Sequence, residues 1–206
     1  MVFALVLNAP TLDVEIQEKL IIAADGGYRH VENKPIYAVI GDFDTLGYIP
    51  KNVLTVTHPT DKDQTDGELS LDFIKNEGGK KVTIYGALGG KIEHVLGNVN
   101  LLAYANEIGL DAKIIDKNNE IYFVRDTLTI ETLIGNNLSL FPFGGEVEFE
   151  SSTGLKYPLD NLKILPHSSL GISNEVTVGK VEIKVKKGSA IAVISKKLRK
   201  NNQKRG

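Results

Sequence analysis

The sequence contains no cysteine, no tryptophan and a single methionine. Without cysteine, disulfides, thiolate zinc sites and thiol nucleophiles are excluded. Long hydrophobic runs are also missing; none approaches the ~20 residues of a membrane-spanning helix. The apolar opening Met1-Val2-Phe3-Ala4-Leu5-Val6-Leu7 lacks a basic leader and a cleavage site, so it reads as a buried first strand rather than a signal peptide. No large excess of one charge exists: 24 Lys+Arg stand against 26 Asp+Glu, for a net charge of −2. What is present is ordinary for a globular chain: 206 residues, 42% apolar and 24% charged. That is enough for a sizeable core, in one large domain or two small ones. A cytoplasmic enzyme with no membrane contact fits these bounds.

Charge is nevertheless uneven along the chain. Residues 179–206 hold ten Lys/Arg and one acid, Glu182. The cluster peaks at Lys196-Lys197-Leu198-Arg199-Lys200 and resumes at Lys204-Arg205. No aromatic residue interleaves with these charges to stack bases. The run therefore reads as a solvated terminus, and nucleic acid is not an expected partner.

The first 116 residues alternate β-branched runs with helix-like segments. Strands are expected at Val2–Asn8, Leu20–Ala24, Tyr37–Ile40, Val53–Thr57, Lys81–Tyr85 and Ala112–Ile115. Their near-continuous apolar character suits strands covered on both faces. Helices are expected over Asp61–Asn76 and Ile92–Ile108. Such alternation argues for a mostly parallel α/β sheet with its ligands at the carboxyl ends of the strands. After Asp116 the pattern becomes short strands separated by turns such as Gly135-Asn136-Asn137, Gly144-Gly145 and Lys187-Gly188. The fold class is thus α/β: residues 1–118 form a catalytic domain with a mostly parallel sheet flanked by helices, and residues 119–206 form an all-β, sandwich-like domain.

Acids gather at the strand ends. Asp25-Gly26-Gly27 follows one apolar run, and Gly41-Asp42-Phe43-Asp44 another. Asp61-Lys62-Asp63-Gln64-Thr65-Asp66 follows a third and opens a helix. On an extended chain Asp42 and Asp44 would point to one side. On a helix Asp63 and Asp66 would share a face. Thr60 and Asp63 resemble a capping box, and Asp61 reads as structural. Clustered carboxylates repel one another unless they are protonated or bound to a cation. Their hard oxygens suit Mg²⁺ shared with substrate phosphates.

A second feature is Tyr85-Gly86-Ala87-Leu88-Gly89-Gly90-Lys91-Ile92-Glu93-His94. It runs from a strand through a glycine-rich bend into a helix. Glycines let backbone N–H groups approach a phosphate, and the helix N-terminus favours anions. The spacing is neither a Walker A loop nor a dinucleotide fingerprint. Glu93 also suits the helix dipole without any catalytic role, and His94 reads as an ordinary core or surface histidine. Together, the acids and the loop suggest Mg²⁺-assisted chemistry on a nucleoside polyphosphate. The acceptor and the phosphorus attacked stay open on these residues alone.

At these segments the sequence resembles the thiamine pyrophosphokinase family. The matching residues are Ala24-Asp25-Gly26-Gly27, Gly41-Asp42-Phe43-Asp44-Thr45, Asp61-Lys62-Asp63-Gln64-Thr65-Asp66-Gly67-Glu68 and Gly86-Ala87-Leu88-Gly89-Gly90, with Asn98 beyond. The match continues through Ser139-Leu140-Phe141-Pro142, Gly154-Leu155-Lys156-Tyr157-Pro158-Leu159 and Ile172-Ser173-Asn174-Glu175. The resemblance implies a homodimer that transfers the diphosphate of ATP to the hydroxyl of thiamine and releases AMP. It implies Mg²⁺ on Asp42, Asp44 and Asp66. Asp25, Gly26, Gly27, Thr65, Gly89 and Gly90 are implied ATP contacts. Gln64, Glu93, Tyr157, Ser173 and Asn174 are implied thiamine contacts, the last two from the other subunit. Lys91 and Glu93 join the metal-binding acids as implied catalytic residues. The family usually has Arg and then Asp where this chain has Lys91 and Glu93, and the first helical region, expected over Pro10–Lys19, is short for the family. Two rivals remain: a diphosphokinase for another hydroxymethyl heterocycle such as a pterin, and an inactive thiamine- or nucleotide-binding sensor.

Overall fold

The structure is a computed structural model and describes residues 1–197. Leu198, Arg199, Lys200, Lys204 and Arg205 of the basic terminus lie outside the described residues. The chain divides into two compact units, one spanning Met1–Phe123 and the other beginning at Val124.

The first unit is built on seven strands: β1 (Val2–Val6), β2 (Leu20–Ala24), β3 (Ala38–Gly41), β4 (Leu54–Thr57), β5 (Lys81–Tyr85), β6 (Asp111–Ile115) and β7 (Asn119–Val124). They lie in the order β7-β6-β5-β1-β2-β3-β4. All neighbours are parallel except β6 and β7. The chain therefore runs outward from β1 through β2, β3 and β4, then returns to β5 on the other side of β1. The strand order reverses at β1 and β5, the kind of place where open α/β sheets bind ligands.

Helix α1 (Asp66–Asn76) packs on β1, β2 and β3, and helix α2 (Ile92–Glu107) packs on β6 and α1. Burial explains why these runs are so apolar. Phe3, Leu5, Ile22 and Ile40 are completely buried, as are Leu71 and Ile74 of α1. Each such side chain contributes about 1.5–3 kcal/mol on leaving water. The alternate residues Ala4, Val6, Ile21, Ala23 and Val39 build a second cluster with Phe43, Leu46 and Tyr85. Both faces are covered, which is why the strands read as continuous rather than alternating.

Helix α1 starts at Asp66 and not at the expected Asp61. The cap is Thr65, whose hydroxyl accepts from the Glu68 N–H at 3.2 Å while Glu68 Oε2 accepts from the Thr65 N–H at 2.7 Å. This reciprocal box replaces the one expected at Thr60 and Asp63. Asp63 consequently precedes the helix and shares no helical face with Asp66.

The second unit contains β8 (Thr127–Glu131), β9 (Asn137–Pro142), β10 (Val147–Thr153), β11 (Lys163–Ile164), β12 (Asn174–Glu175), β13 (Lys180–Lys187) and β14 (Ala190–Ser195). Strands β12, β9 and β14 are adjacent in that order, and β11, β10, β13 and β8 form a four-stranded sheet. Every one of these pairings is antiparallel. Leu138, Leu140, Val147, Phe149, Ile164, Val181 and Ile183 supply buried side chains on alternate positions. No helix among the described residues is long and apolar enough to cross a membrane.

Candidate active site

Three carboxylates meet beyond the ends of β2, β3 and β4. Asp25, Asp42 and Asp66 each offer one oxygen, and these atoms lie within 4.8 Å of one another. Asp25 opens the 3-10 turn Asp25–His30 directly after β2. Asp42 follows β3, and Asp66 is the first residue of α1. Gly41 makes their approach possible. A Cβ there would stand 2.9 Å from Asp25 Cβ and 3.2 Å from Asp66 Oδ2.

The backbone around the trio is held in an unfavourable conformation. Asp25 has φ +36° and Phe43 has φ +63°. The left-handed region costs a non-glycine residue roughly 1–2 kcal/mol. Two contacts hold it there: the Leu46 N–H donates to Asp25 Oδ1 at 3.2 Å, and the Phe43 ring is buried in the core. The turn at Phe43 also overrides the expectation that Asp42 and Asp44 point the same way. The chain is not extended there, and the Asp44 N–H folds back onto Asp42 Oδ1 at 3.2 Å. The Asp44 carboxylate is exposed, accepts from Thr45 Oγ1 at 3.0 Å, and is not in the grouped trio.

A lysine sits among the acids. Lys62 Nζ is 2.9 Å from Asp42 Oδ2 and 3.1 Å from Asp66 Oδ1. The hydrogen bond from Lys62 holds the Asp42 carboxyl below its ordinary pKa. Burial pushes Asp66 the other way, and the negative charges of Asp42 and Asp25 add to that rise against the pull of Lys62. Burial works against charge on Lys62 itself, yet the neighbouring carboxylates of Asp42 and Asp66 leave its pKa raised. Asp66 Oδ1 is enclosed and accepts no well-aligned hydrogen bond, so Lys62 meets it by proximity alone. An enclosed carboxylate oxygen short of donors, beside two further carboxylates, fits a divalent cation with hard oxygen preference. The sequence offered one signal for Lys62: it is the single cation within a run of four acids.

The glycine loop lies at the strand-order reversal. Gly86 follows β5 with φ +66°, and a Cβ there would come within 2.4 Å of Leu7 O. Gly27 of the Asp25–His30 turn abuts the same strand end, its Cβ position 2.2 Å from Val6 O. Gly26 and Gly27 are buried, while Gly89 and Gly90 are exposed beside Pro10. Asn98 Nδ2 donates to Ala87 O at 2.9 Å and ties the loop to α2. Lys91 is the N-cap residue of α2 and makes no side-chain cap. The first-turn amides thus lack that partner, which suits an anion. Lys91 and Glu93 are both exposed at this end. Gln64 reaches instead toward the helices: Nε2 donates to Asp72 Oδ2 at 3.0 Å and to the Tyr104 hydroxyl at 3.4 Å.

In the second unit, Tyr157 is exposed and Lys156 Nζ stands 5.6 Å from its ring centre. The lysine ammonium already stands over one face of this exposed ring, the contact an aromatic face makes with a cation. Asn174 is buried, and its Oδ1 accepts from the N–H groups of Tyr157 and Glu175 at 3.0 and 2.9 Å. Its Nδ2 donates to Tyr157 O at 2.7 Å. The Asn174 amide thus positions Tyr157. Ser173, exposed with φ +62°, donates its N–H to Ser139 Oγ at 3.0 Å.

Comparison with known proteins gives two family matches in chain order. Residues 13–114 match the thiamin pyrophosphokinase catalytic domain, and residues 125–190 match the thiamin pyrophosphokinase vitamin B1 binding domain. A thiamine pyrophosphokinase of Bacillus subtilis is 30% identical over 193 residues, covering 90% of this chain and 87% of its own length. The chain belongs to the thiamine pyrophosphokinase family. Its fold agrees. The crystal structure of a Bacillus subtilis thiamine pyrophosphokinase superposes with a TM-score of 0.83 at 27% identity, covering 96% of this chain and all of the other. The Candida albicans thiamin pyrophosphokinase, at 14% identity, shares the fold with a TM-score of 0.76 over 95% of this chain and 90% of its own. The carboxylate trio and glycine loop fall inside the catalytic match of the thiamine pyrophosphokinase family, and Tyr157, Ser173 and Asn174 inside the vitamin B1 match.

Proposed function

We propose that this chain is an ATP-dependent thiamine diphosphokinase. The carrying observation is the trio Asp25, Asp42 and Asp66, two carboxylates just after β2 and β3 and one at the start of α1, within a catalytic-domain match. Asp42, Asp66 and Asp25 would hold Mg²⁺, with exposed Asp44 as a further acid at the rim. Bound there, Mg²⁺ offsets phosphate charge and polarises the phosphoryl group to be transferred.

The chain's own groups do the rest. The glycine loop and the first turn of α2 receive the polyphosphate, and Lys91 stabilises charge on the transferring group. Gly26, Gly27 and Thr65 border the nucleotide. Glu93 orients thiamine by its cationic end and accepts the hydroxyl proton. Gln64 borders the vitamin, and the second unit of the other subunit supplies Tyr157, whose ring face meets the thiazolium, with Ser173 and Asn174 beside it. The thiamine oxygen bonds to the β-phosphorus, the bond from that phosphorus to the α,β-bridging oxygen breaks, and AMP leaves. The working form is a homodimer in the cytoplasm.

The test is an acceptor panel. Purified protein is incubated with ATP, Mg²⁺ and, separately, thiamine or a hydroxymethylpterin, and the products are identified. AMP with thiamine diphosphate supports the reading. A diphosphorylated pterin alone would assign the pterin reaction. Ligand binding without AMP would make the chain a sensor.

A further inference from the structure

The carboxylate trio carries a cation of the chain's own. Lys62 bridges Asp42 and Asp66, at 2.9 and 3.1 Å, with its side chain mostly enclosed. It thus contacts two of the three carboxylates that could together hold a metal ion. Its single charge meets two carboxylates, with Asp25 grouped beside them as a third. The pairing holds them together without neutralising them. Lys62 also sits on the irregular segment between β4 and α1, at the end of a flexible four-carbon stem. It can leave the acids without disturbing a strand or a helix.

We infer that Lys62 is a displaceable counter-ion, whose ammonium holds the Asp42–Asp66 position until a divalent cation and a polyphosphate arrive together and it transfers to the phosphate oxygens. The inference rests on the reading of the trio as a metal site. A divalent ion entering alone must push an ammonium away from two carboxylates and leave it with no anion to meet. A polyphosphate provides that anion. Metal and nucleotide therefore tighten one another, and by linkage the factor is the same in both directions. A lysine with a purely structural role predicts the reverse for its neutral variant, because loosened carboxylates would bind metal less well.

The test reads free Mn²⁺ by electron paramagnetic resonance, with and without α,β-methylene ATP and corrected for the Mn²⁺–nucleotide complex. Wild type, Lys62→Gln and Lys62→Arg are compared. Wild-type protein should bind Mn²⁺ weakly alone and about 5-fold or more tightly with the nucleotide. Lys62→Gln should bind Mn²⁺ alone about 5-fold or more tightly than wild type, and its gain from nucleotide should shrink by a similar factor. Lys62→Arg, which keeps the charge, should stay close to wild type. Equal or weaker Mn²⁺ binding by Lys62→Gln, with the nucleotide gain unchanged, overturns the inference and leaves the metal site standing. If Lys62→Gln does not fold, the wild-type arm still decides, because independent binding of Mn²⁺ and nucleotide overturns it. No Mn²⁺ binding under either condition would remove the metal site and this inference with it.

Discussion

Asn174 and Tyr157 exchange two hydrogen bonds through one side-chain amide, Oδ1 accepting the Tyr157 N–H at 3.0 Å and Nδ2 donating to the Tyr157 carbonyl at 2.7 Å. The exposed ring therefore stands on a buried polar clamp. Replacing Asn174 with Ala leaves a buried carbonyl and N–H unpaired, which costs about 1–3 kcal/mol. The thermal midpoint should fall, and KM for thiamine should rise with KM for ATP little changed. Equal rises in both KM values would separate Tyr157 from thiamine recognition.

Asp42 accepts from both Lys62 and the Asp44 N–H. Asp42→Asn keeps the shape and removes the charge. Turnover should drop about 100-fold or more. The circular dichroism spectrum should match wild type. Near-normal turnover would take the cation away from this carboxylate.

Gly41 separates Asp25 from Asp66. Gly41→Ala inserts a methyl 2.9 Å from Asp25 Cβ and 3.2 Å from Asp66 Oδ2. Overpacking of this kind costs about 1–3 kcal/mol. Because the crowding falls on two of the three acids, Mn²⁺ affinity should weaken along with the urea midpoint. A variant that loses stability but keeps full Mn²⁺ affinity would show that the spacing of Asp25 and Asp66 does not matter.

Tyr104 of α2 donates its hydroxyl to Asp72 Oδ1 of α1 at 2.6 Å. That hydrogen bond to a carboxylate pushes the phenol up to about 12, with burial adding to it. A raised folded pKa stabilises the fold fully below the ordinary value of 10.0 and loses that contribution as pH climbs through about 12. Tyr104→Phe should therefore be less stable than wild type at pH 8, and the gap should close between pH 10 and 12. Urea midpoints across that range measure it. A gap independent of pH would show that the hydroxyl contributes by packing rather than by its bond to Asp72.

Much of the first unit was legible because parallel strands buried on both faces announce themselves as apolar runs. Leu20–Ala24 and Lys81–Tyr85 stand where their composition puts them. Asp25 and Asp42 were legible for the same reason, as acids directly after such runs, and Asp66 as an acid at the opening of a helix. Asp44 was misread because period-two alternation assumes an extended chain, and Phe43 turns it at φ +63°. The start of α1 was misread because two successive Thr-x-x-acid patterns compete, and only Thr65 with Glu68 closes both bonds. Lys62 was given no role from sequence; it becomes a bridge only once β3 and α1 bring Asp42 and Asp66 to it. The two-residue strands β11 and β12 are too short to carry any alternation. The clamp of Asn174 on Tyr157 spans 17 residues, beyond any local pattern.

The most direct test of the central claim follows the phosphorus atoms. In a 31P NMR time course with ATP, Mg²⁺ and thiamine, AMP and thiamine diphosphate should grow in equal amounts as ATP disappears, with no thiamine monophosphate at any time. ADP appearing with thiamine monophosphate would place the attack on the γ-phosphorus and contradict the account.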